Sequence, residues 1–146
     1  MAAFQSKAIE ILLVEDDLGN IRLTEEAFKE GNVRHNLRTV TDGVMAINYL
    51  NKTEGYDDAP KPDLILLDLN LPKKDGKEVL SFIKEDSNLK SIPVIILSSS
   101  NSETDIKKVY DLHANCYITK PIDFDSFIDV VKIIERFWLS TAMLPK

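Results

Sequence analysis

Cysteine is nearly absent from this chain: Cys116 is the single one among 146 residues. One thiol cannot form an intramolecular disulfide, and it cannot supply a cysteine-rich metal site. A reducing, cytoplasmic setting is therefore expected, because disulfides persist mainly in oxidising compartments. Residues 1–7 hold no long apolar core, and no apolar run approaches the ~20 residues of a membrane span. Neither a signal peptide nor a transmembrane helix is predicted.

Positive charge is also in short supply. The chain has 18 Lys and Arg residues against 24 Asp and Glu residues, which leaves a net charge of −6. Nucleic-acid binding needs a basic footprint, so it is not expected here. The composition and length are ordinary for one globular domain. With no internal repeat and no long linker, we expect a single domain over 1–146, with a core at about 9–134 and a C-terminal extension at 135–146.

Short apolar runs alternate with longer amphipathic runs along the chain. The short runs predict five strands, at Ile9–Val14, Leu37–Val40, Leu64–Asp68, Pro93–Leu97 and Cys116–Ile118. The longer runs predict five helices, at Asp17–Glu30, Gly43–Leu50, Lys77–Lys84, Glu103–Leu112 and Phe124–Leu139. Alternating strands and helices favour a parallel sheet built from βαβ units. The predicted fold is α/β, a doubly wound five-stranded parallel sheet flanked by helices on both faces.

Asp68 is the most informative residue of the chain. It ends the apolar run Leu64–Leu67, which lies between Pro62 and Pro72 and is typical of a strand buried in the middle of a parallel sheet. Open α/β sheets bind ligands in the crevice at the carboxyl ends of their strands. Asp68 is therefore a candidate nucleophile or metal ligand.

Further carboxylates follow the first predicted strand, at Glu15, Asp16 and Asp17. Parallel strands end at the same edge of a sheet, so these acids converge with Asp68. Their mutual repulsion predicts a bound cation, and oxygen-only ligands favour Mg²⁺ over zinc. Helix capping is the alternative role, since Asp is a favoured N-cap. We favour the cap for Asp17, and the metal for Glu15 and Asp16.

The remaining strand ends carry a hydroxyl and a cation. Ser98 follows the fourth strand and is placed to hydrogen-bond an anionic ligand, although a nearby serine such as Ser102 is expected to cap the next helix. Lys120 follows the fifth strand and is predicted to pair with the carboxylates and to hold a phosphate. This combination suits phosphoryl transfer, in which an aspartate forms an aspartyl phosphate.

At this point the sequence strongly resembles the receiver domain of two-component response regulators. Four motifs carry the resemblance over roughly Ile9 to Ile134: Val14-Glu15-Asp16-Asp17, Leu67 to Pro72 with Asp75-Gly76, Leu97-Ser98-Ser99, and Tyr117 to Pro121. The resemblance implies a flavodoxin-like receiver fold. It also implies that Asp68 accepts the phosphoryl group, and that Mg²⁺ is held by Glu15, Asp16, Asp68 and the backbone carbonyl of Asn70.

The resemblance assigns the other site residues as well. Ser98 matches the switch hydroxyl that moves toward the phosphoryl group, Lys120 matches the lysine of the motif, and Tyr117 matches the switch aromatic. Asn70 and Ser100 match positions that flank the approach of the hydrolytic water. The protein is expected to catalyse its own phosphorylation and dephosphorylation rather than to act as an enzyme on other substrates.

The loop at Asn51–Pro62 and the apolar end of the chain narrow the resemblance to single-domain regulators of cyanobacterial phytochromes. The implied partner is a sensor histidine kinase, specifically a phytochrome. A homodimer is expected through the helix Glu103–Leu112, the strand Cys116–Ile118, the helix Phe124–Leu139 and the tail. No nucleic-acid or membrane partner is expected, because too few residues follow the last helix for an output domain.

The same residues also bear on other possible functions of this fold. A haloacid-dehalogenase-like phosphatase would need an aspartate where this chain has Asn70, and a flavin phosphate would be repelled by Glu15, Asp16 and Asp17. Two alternatives stay open, a receiver-fold interaction module that is never phosphorylated and an intermediate of a phosphorelay.

Overall fold

Five parallel strands form one sheet, in the order β2-β1-β3-β4-β5. The structure is a computed structural model that describes residues 8–31, 34–120 and 123–137. The strands are β1 (Ile9–Val14), β2 (His35–Val40), β3 (Leu64–Leu67), β4 (Val94–Ser98) and β5 (Cys116–Thr119). The helices are α1 (Leu18–Lys29), α2 (Gly43–Asn51), α3 (Gly76–Glu85), α4 (Glu103–Asp111) and α5 (Phe124–Ile134). The predicted α/β fold with a five-stranded parallel sheet is confirmed.

The boundaries differ from the predicted ones by a few residues. β2 begins two residues earlier than predicted, since the polar residues His35 and Asn36 pair with Ile9 and Glu10 but carry no apolar signal. Asp68 was predicted as the last residue of β3, yet it lies just beyond the strand. The α-helical part of α5 ends at Ile134, and residues 135–137 continue it as a wider π-helical turn. The last two residues of the predicted helix, Trp138 and Leu139, lie outside the described residues.

Alternation along the central strands separates two apolar cores. In β3, Leu64 and Leu66 face the core shared with α1 and α5, whereas Ile65 and Leu67 face the core shared with α2, α3 and α4. Successive side chains of a strand point to opposite faces, so four apolar residues in a row serve both cores. This burial on both faces holds the end of β3 rigidly, which positions Asp68.

Each helix begins at a side chain that caps its free N–H groups. The capping residues are Asp17, Asp42, Asp75, Ser102 and Asp123. The predicted capping roles of Asp17 and Ser102 are confirmed. Asp75 also forms a capping box with Glu78, which gives α3 a defined start seven residues after Asp68.

The turn between β3 and α3 passes close to the backbone of the site. The Gly76 N–H donates to the Leu69 carbonyl at 2.9 Å. A Cβ atom at residue 76 would collide with the carbonyl of Asp68, so only glycine fits there without a shift of the turn.

Across the described residues, no helix combines the length and apolarity needed to cross a bilayer.

Candidate functional site

The carboxylates that follow β1 and β3 meet at one edge of the sheet. Backbone hydrogen bonds set their positions, because Glu15 N–H donates to Val40 O and Asp68 N–H donates to Val14 O, each at 3.0 Å. Glu15, Asp16 and Asp68 each offer an oxygen within 4.8 Å of the other two. Glu15 and Asp68 are only 3% and 6% exposed. The predicted convergence of acids from separate strands is therefore present in the structure.

Lys120 reaches this cluster from the end of β5. Its backbone N–H donates to Ser98 O at 2.7 Å, which fixes the start of the side chain. Its Nζ lies 2.6 Å from Glu15 Oε1 and 3.4 Å from Asp68 Oδ2. The side chain is 9% exposed, so the ammonium acts on both carboxylates with little screening by water. The predicted pairing of this lysine with the acids is observed.

Burial raises the pKa of the Glu15 carboxyl to about 7. The hydrogen bond and charge of Lys120 oppose this shift, and the nearby Asp68 charge reinforces it. The protein by itself thus leaves the cluster short of positive charge. A divalent cation would stabilise the ionised form, as expected for carboxylates crowded into one site.

The donor set of the cluster fits Mg²⁺, which prefers oxygen ligands and retains several waters. The cleft around it has a volume of about 620 Å³. The structure places Asn70 on its wall, with the Asn70 N–H donating to Asp68 Oδ1 at 3.3 Å. Asp17 also lines the cleft, but its Oδ1 accepts from Asn20 N–H at 2.9 Å and serves the cap of α1.

The two predicted switch residues meet at Ser100. Ser98 is fully buried, and its Oγ accepts a hydrogen bond from Ser100 N–H at 3.1 Å. The Tyr117 hydroxyl donates to Ser100 O at 2.6 Å. Within the described residues, Ser98 makes no hydrogen bond to Asp68. The two side chains are linked through Ser100, and neither forms a hydrogen bond to Asp68 among the described residues.

Two charged residues beside the cleft, Lys77 and Asp105, are not among those predicted from the sequence. Lys77 Nζ donates to Asp105 Oδ1 at 2.9 Å, and Ser100 Oγ donates to Asp105 Oδ2 at 2.8 Å. These two hydrogen bonds, with Lys77 the larger influence, hold the pKa of Asp105 below its usual range. The sequence does contain a signal for this contact. The helices α3 and α4 pack on the same face of the sheet and both begin at its carboxyl edge, so opposite charges in their first turns can meet.

A second cavity of about 430 Å³ lies beside the acidic cleft. Asp16 and Asn70 line both cavities, while Lys77 and Asp105 line the second one. The Lys77–Asp105 ion pair is therefore next to the site without belonging to the acid cluster.

The family model of the response regulator receiver domain matches residues 11–132. The chain belongs to this family. Receiver domains bind Mg²⁺, and the acidic cluster of this receiver supplies oxygen donors of the right kind. The resemblance seen in the sequence is thereby confirmed over nearly the whole described chain.

Individual response regulators are similar to this receiver in sequence and in structure. The receiver is 47% identical over 135 residues to the response regulator Rcp1 of Synechocystis sp., covering 92% of each chain. It is similar to the crystal structure of the phosphorylated cyanobacterial phytochrome response regulator RcpA, with 54% identity, a TM-score of 0.92, and coverage of 96% of this chain and 100% of that one. The Mn²⁺-bound form of Rcp1 matches with 46% identity, a TM-score of 0.90, and coverage of 94% and 99%. This receiver is thus close to the phytochrome response regulators.

Proposed function

We propose that this receiver accepts a phosphoryl group on Asp68 from a phosphohistidine of a sensor histidine kinase. The observation that carries the proposal is the position of Lys120, whose ammonium contacts the proposed nucleophile Asp68 and the proposed metal ligand Glu15 at once. Burying a lysine between two carboxylates costs free energy. A purely structural role at the edge of the sheet does not explain such an arrangement, whereas a role in phosphoryl transfer does.

The reaction transfers the phosphoryl group between two nucleophiles. An Asp68 carboxylate oxygen attacks phosphorus, the bond from phosphorus to the histidine nitrogen breaks, and the imidazole leaves with the electron pair and takes up a proton. Glu15, Asp16, Asp68 and the Asn70 carbonyl would hold Mg²⁺, which when bound would supply positive charge against the phosphoryl oxygens. Lys120 stabilises the same charge from the β5 side, and the Ser98 hydroxyl turns toward the phosphoryl group once it is bound.

Removal of the phosphoryl group uses the same site. Water attacks phosphorus, the bond to Asp68 breaks, and the products are inorganic phosphate and the original carboxylate. The receiver therefore catalyses its own phosphorylation and dephosphorylation, and needs no other substrate than the donor and water.

A phytochrome kinase is the partner that we infer. Support comes from the similarity to RcpA, whose structure is described as a phosphorylated cyanobacterial phytochrome response regulator, and to Rcp1. We infer that the kinase and the receiver meet in the cytoplasm. We treat the chain as one receiver domain over 1–146, with its core at about 9–134 and an extension at 135–146.

Signalling is proposed to occur through protein contacts and not through nucleic acid or membrane. The surface of α4, β5 and α5 exposes apolar side chains, among them Tyr110 and, at 58% exposure, Ile133. Phe137, just after α5, is also exposed, whereas the other apolar tail residues expected to contribute, Leu139, Met143 and Leu144, lie outside the described residues. Exposed apolar side chains often mark a protein interface, and we propose that these support a homodimer.

The phosphorylation test uses intact mass. The protein is incubated with Mg²⁺ and acetyl phosphate beside an Asp68→Asn variant and an Asp58→Asn control in the exposed loop after α2. We expect one added phosphoryl group in the parent and in the control, none in Asp68→Asn, and none when a chelator is present. If no protein gains mass and a beryllofluoride phosphoryl mimic also fails to bind, the interaction-module alternative replaces this proposal.

Kinase and dimer are tested separately. A purified phytochrome kinase carrying labelled phosphohistidine should lose its label to the parent but not to Asp68→Asn, and subsequent loss of the label to a histidine protein would favour the phosphorelay alternative. Light scattering at high concentration should show a dimer of the full chain. A monomer with and without beryllofluoride would exclude the dimer.

A further inference from the structure

We propose that Lys77 and Asp105 are positioning residues that hold Ser98 in its unphosphorylated arrangement by fixing Ser100. This inference rests on the proposed function, since it concerns how easily Ser98 reaches a phosphoryl group on Asp68. It assigns a role to an ion pair outside the acid cluster.

Ser100 has each of its polar groups engaged. Its N–H donates to Ser98 Oγ at 3.1 Å, and its carbonyl accepts from the Tyr117 hydroxyl at 2.6 Å. Its own hydroxyl donates to Asp105 Oδ2 at 2.8 Å and accepts from Ser102 N–H at 3.2 Å. Any movement of Ser100 therefore changes the surroundings of both Ser98 and Tyr117.

Asp105 ties this arrangement to a different helix. One carboxylate oxygen receives the Ser100 hydroxyl and the other receives the Lys77 ammonium at 2.9 Å. Asp105 N–H also donates to Ser102 Oγ at 3.3 Å, in the cap of α4. Since Lys77 belongs to the first turn of α3, the pair connects the segment after β4 to the segment that follows Asp68.

The direction of the effect follows from the Ser98 hydrogen bond. When the Ser98 side chain turns toward a phosphoryl group on Asp68, as in the proposed function, its Oγ moves away from Ser100 N–H, and that donor loses its partner unless the segment after β4 moves too. The Asp105–Lys77 pair restrains this movement. Weakening the pair should therefore make the phosphoryl-bound arrangement easier to reach.

The probe is beryllofluoride, which occupies the place of a phosphoryl group, titrated in the presence of Mg²⁺. For Asp105→Asn and for Lys77→Gln we expect binding about three- to fivefold tighter than in the parent, the effect of losing one partly exposed ion pair. The double variant should equal the single ones, because both remove the same interaction. Lys77→Arg keeps a cation at the same place and should bind like the parent.

The Ser98→Ala variant distinguishes an effect on the position of Ser98 from a general effect on the structure. In Ser98→Ala the hydroxyl is gone, so Asp105→Asn should no longer change beryllofluoride binding. The matched control is Asp111→Asn, which breaks the exposed Lys107–Asp111 pair on the same helix at 3.3 Å and should leave binding unchanged. Thermal unfolding of each variant confirms that it is folded.

Three results would overturn the inference. They are binding within twofold of the parent in Asp105→Asn, an equal change in the Ser98→Ala background, or an equal change in Asp111→Asn. If the parent itself takes neither beryllofluoride nor a phosphoryl group, the proposed function fails first. If the parent binds and the variants match it, the proposed function stands and the positioning role alone is rejected.

Discussion

The Lys120 ammonium lies 2.6 Å from Glu15 Oε1, although 105 residues separate the two side chains along the chain. The same nitrogen is 3.4 Å from Asp68 Oδ2, so it is shared between a proposed metal ligand and the proposed nucleophile. All three groups are buried, and in such surroundings the loss of one partner leaves the others uncompensated. The charges of the site therefore depend on one another.

Removing Lys120 should reveal this dependence. In Lys120→Met without metal at pH 8, we expect the free energy of unfolding to fall by about 3 kcal/mol, because two buried carboxylates lose their cation. Added Mg²⁺ should restore part of the loss. Urea unfolding measures both values, with Lys61→Met at an exposed position as the control. Equal stability of Lys120→Met and the control would mean that the ion pairs contribute nothing.

Mg²⁺ affinity should depend on pH through Glu15. Its pKa lies at about 7 in the metal-free protein, and a carboxyl must lose its proton before it binds a cation. We therefore expect Mg²⁺ to bind about tenfold more tightly at pH 8 than at pH 6, as the ionised fraction of Glu15 rises. Titration calorimetry measures this. Glu15→Gln should bind weakly at both pH values, and the exposed control Glu25→Gln should follow the parent.

The Glu15 carboxyl also makes the stability of the metal-free protein depend on pH, and this stability decreases as the pH rises. The pKa of Glu15 is raised by folding from 4.5 to about 7, so the folded state holds more protons than the unfolded state between these values. Its contribution to stability is complete below pH 4.5 and is lost as pH rises through 7. The stability difference between parent and Glu15→Gln should thus shift against the parent from pH 5 to pH 8 in chelator. A constant difference would contradict the raised pKa.

Gly76 is predicted to be necessary for the placement of Asp68. In Gly76→Ala, the new methyl group would strike the Asp68 carbonyl and the Leu69 Cα, and backbone atoms cannot give way as a flexible side chain does. We expect a loss of about 2 kcal/mol in unfolding free energy together with slower phosphorylation by acetyl phosphate. Gly55→Ala is the control for phosphorylation, because its φ of +94° makes alanine unfavourable for stability while the residue lies in the exposed loop after α2 and does not line the acidic cleft. Wild-type phosphorylation in Gly76→Ala would show that the turn adapts.

The central features of the fold could be predicted because they rest on local patterns. The apolar run before Asp68 is buried on both faces, and such a run can only be a central strand or a buried helix; its four-residue length decides for the strand. Parallel pairing then brings Glu15, Asp68 and Lys120 to one edge without further information. The β2 start at His35 escaped prediction because its pairing comes from the backbone, not from apolar side chains.

Contacts between helices were harder to predict, for a physical reason. Lys77 and Asp105 are 28 residues apart, and each is an ordinary charged residue in the first turn of its helix. Their contact depends on the rotation and spacing of α3 and α4, which packing of both helices on the sheet determines. The link between Ser98 and Tyr117 was equally hard to predict. It runs through the backbone N–H and carbonyl of Ser100, and backbone groups leave no trace in the pattern of side chains.

Lys84 provides a test of a structural contact far from the site chemistry. Its Nζ donates to Lys90 O at 3.0 Å, Ile92 O at 2.9 Å and Asn115 Oδ1 at 3.0 Å, and burial lowers its pKa. Lys84 therefore joins the end of α3 to the turn before β4 and to the turn before β5. In Lys84→Met we expect a loss of about 2 kcal/mol in unfolding free energy, because backbone acceptors lose a charged donor.

Mg²⁺ and beryllofluoride binding should nevertheless stay at parental values in Lys84→Met, since the contacts of Lys84 lie at the opposite edge of the sheet from Asp68. Urea unfolding and ligand titration on the same preparation measure the two properties together. Lys90→Met, which changes an exposed side chain but keeps the Lys90 carbonyl, is the matched control. Weaker Mg²⁺ binding in Lys84→Met would show that strain at the start of β4 reaches Ser98 at its end, and the separation of stability from site chemistry would then be wrong.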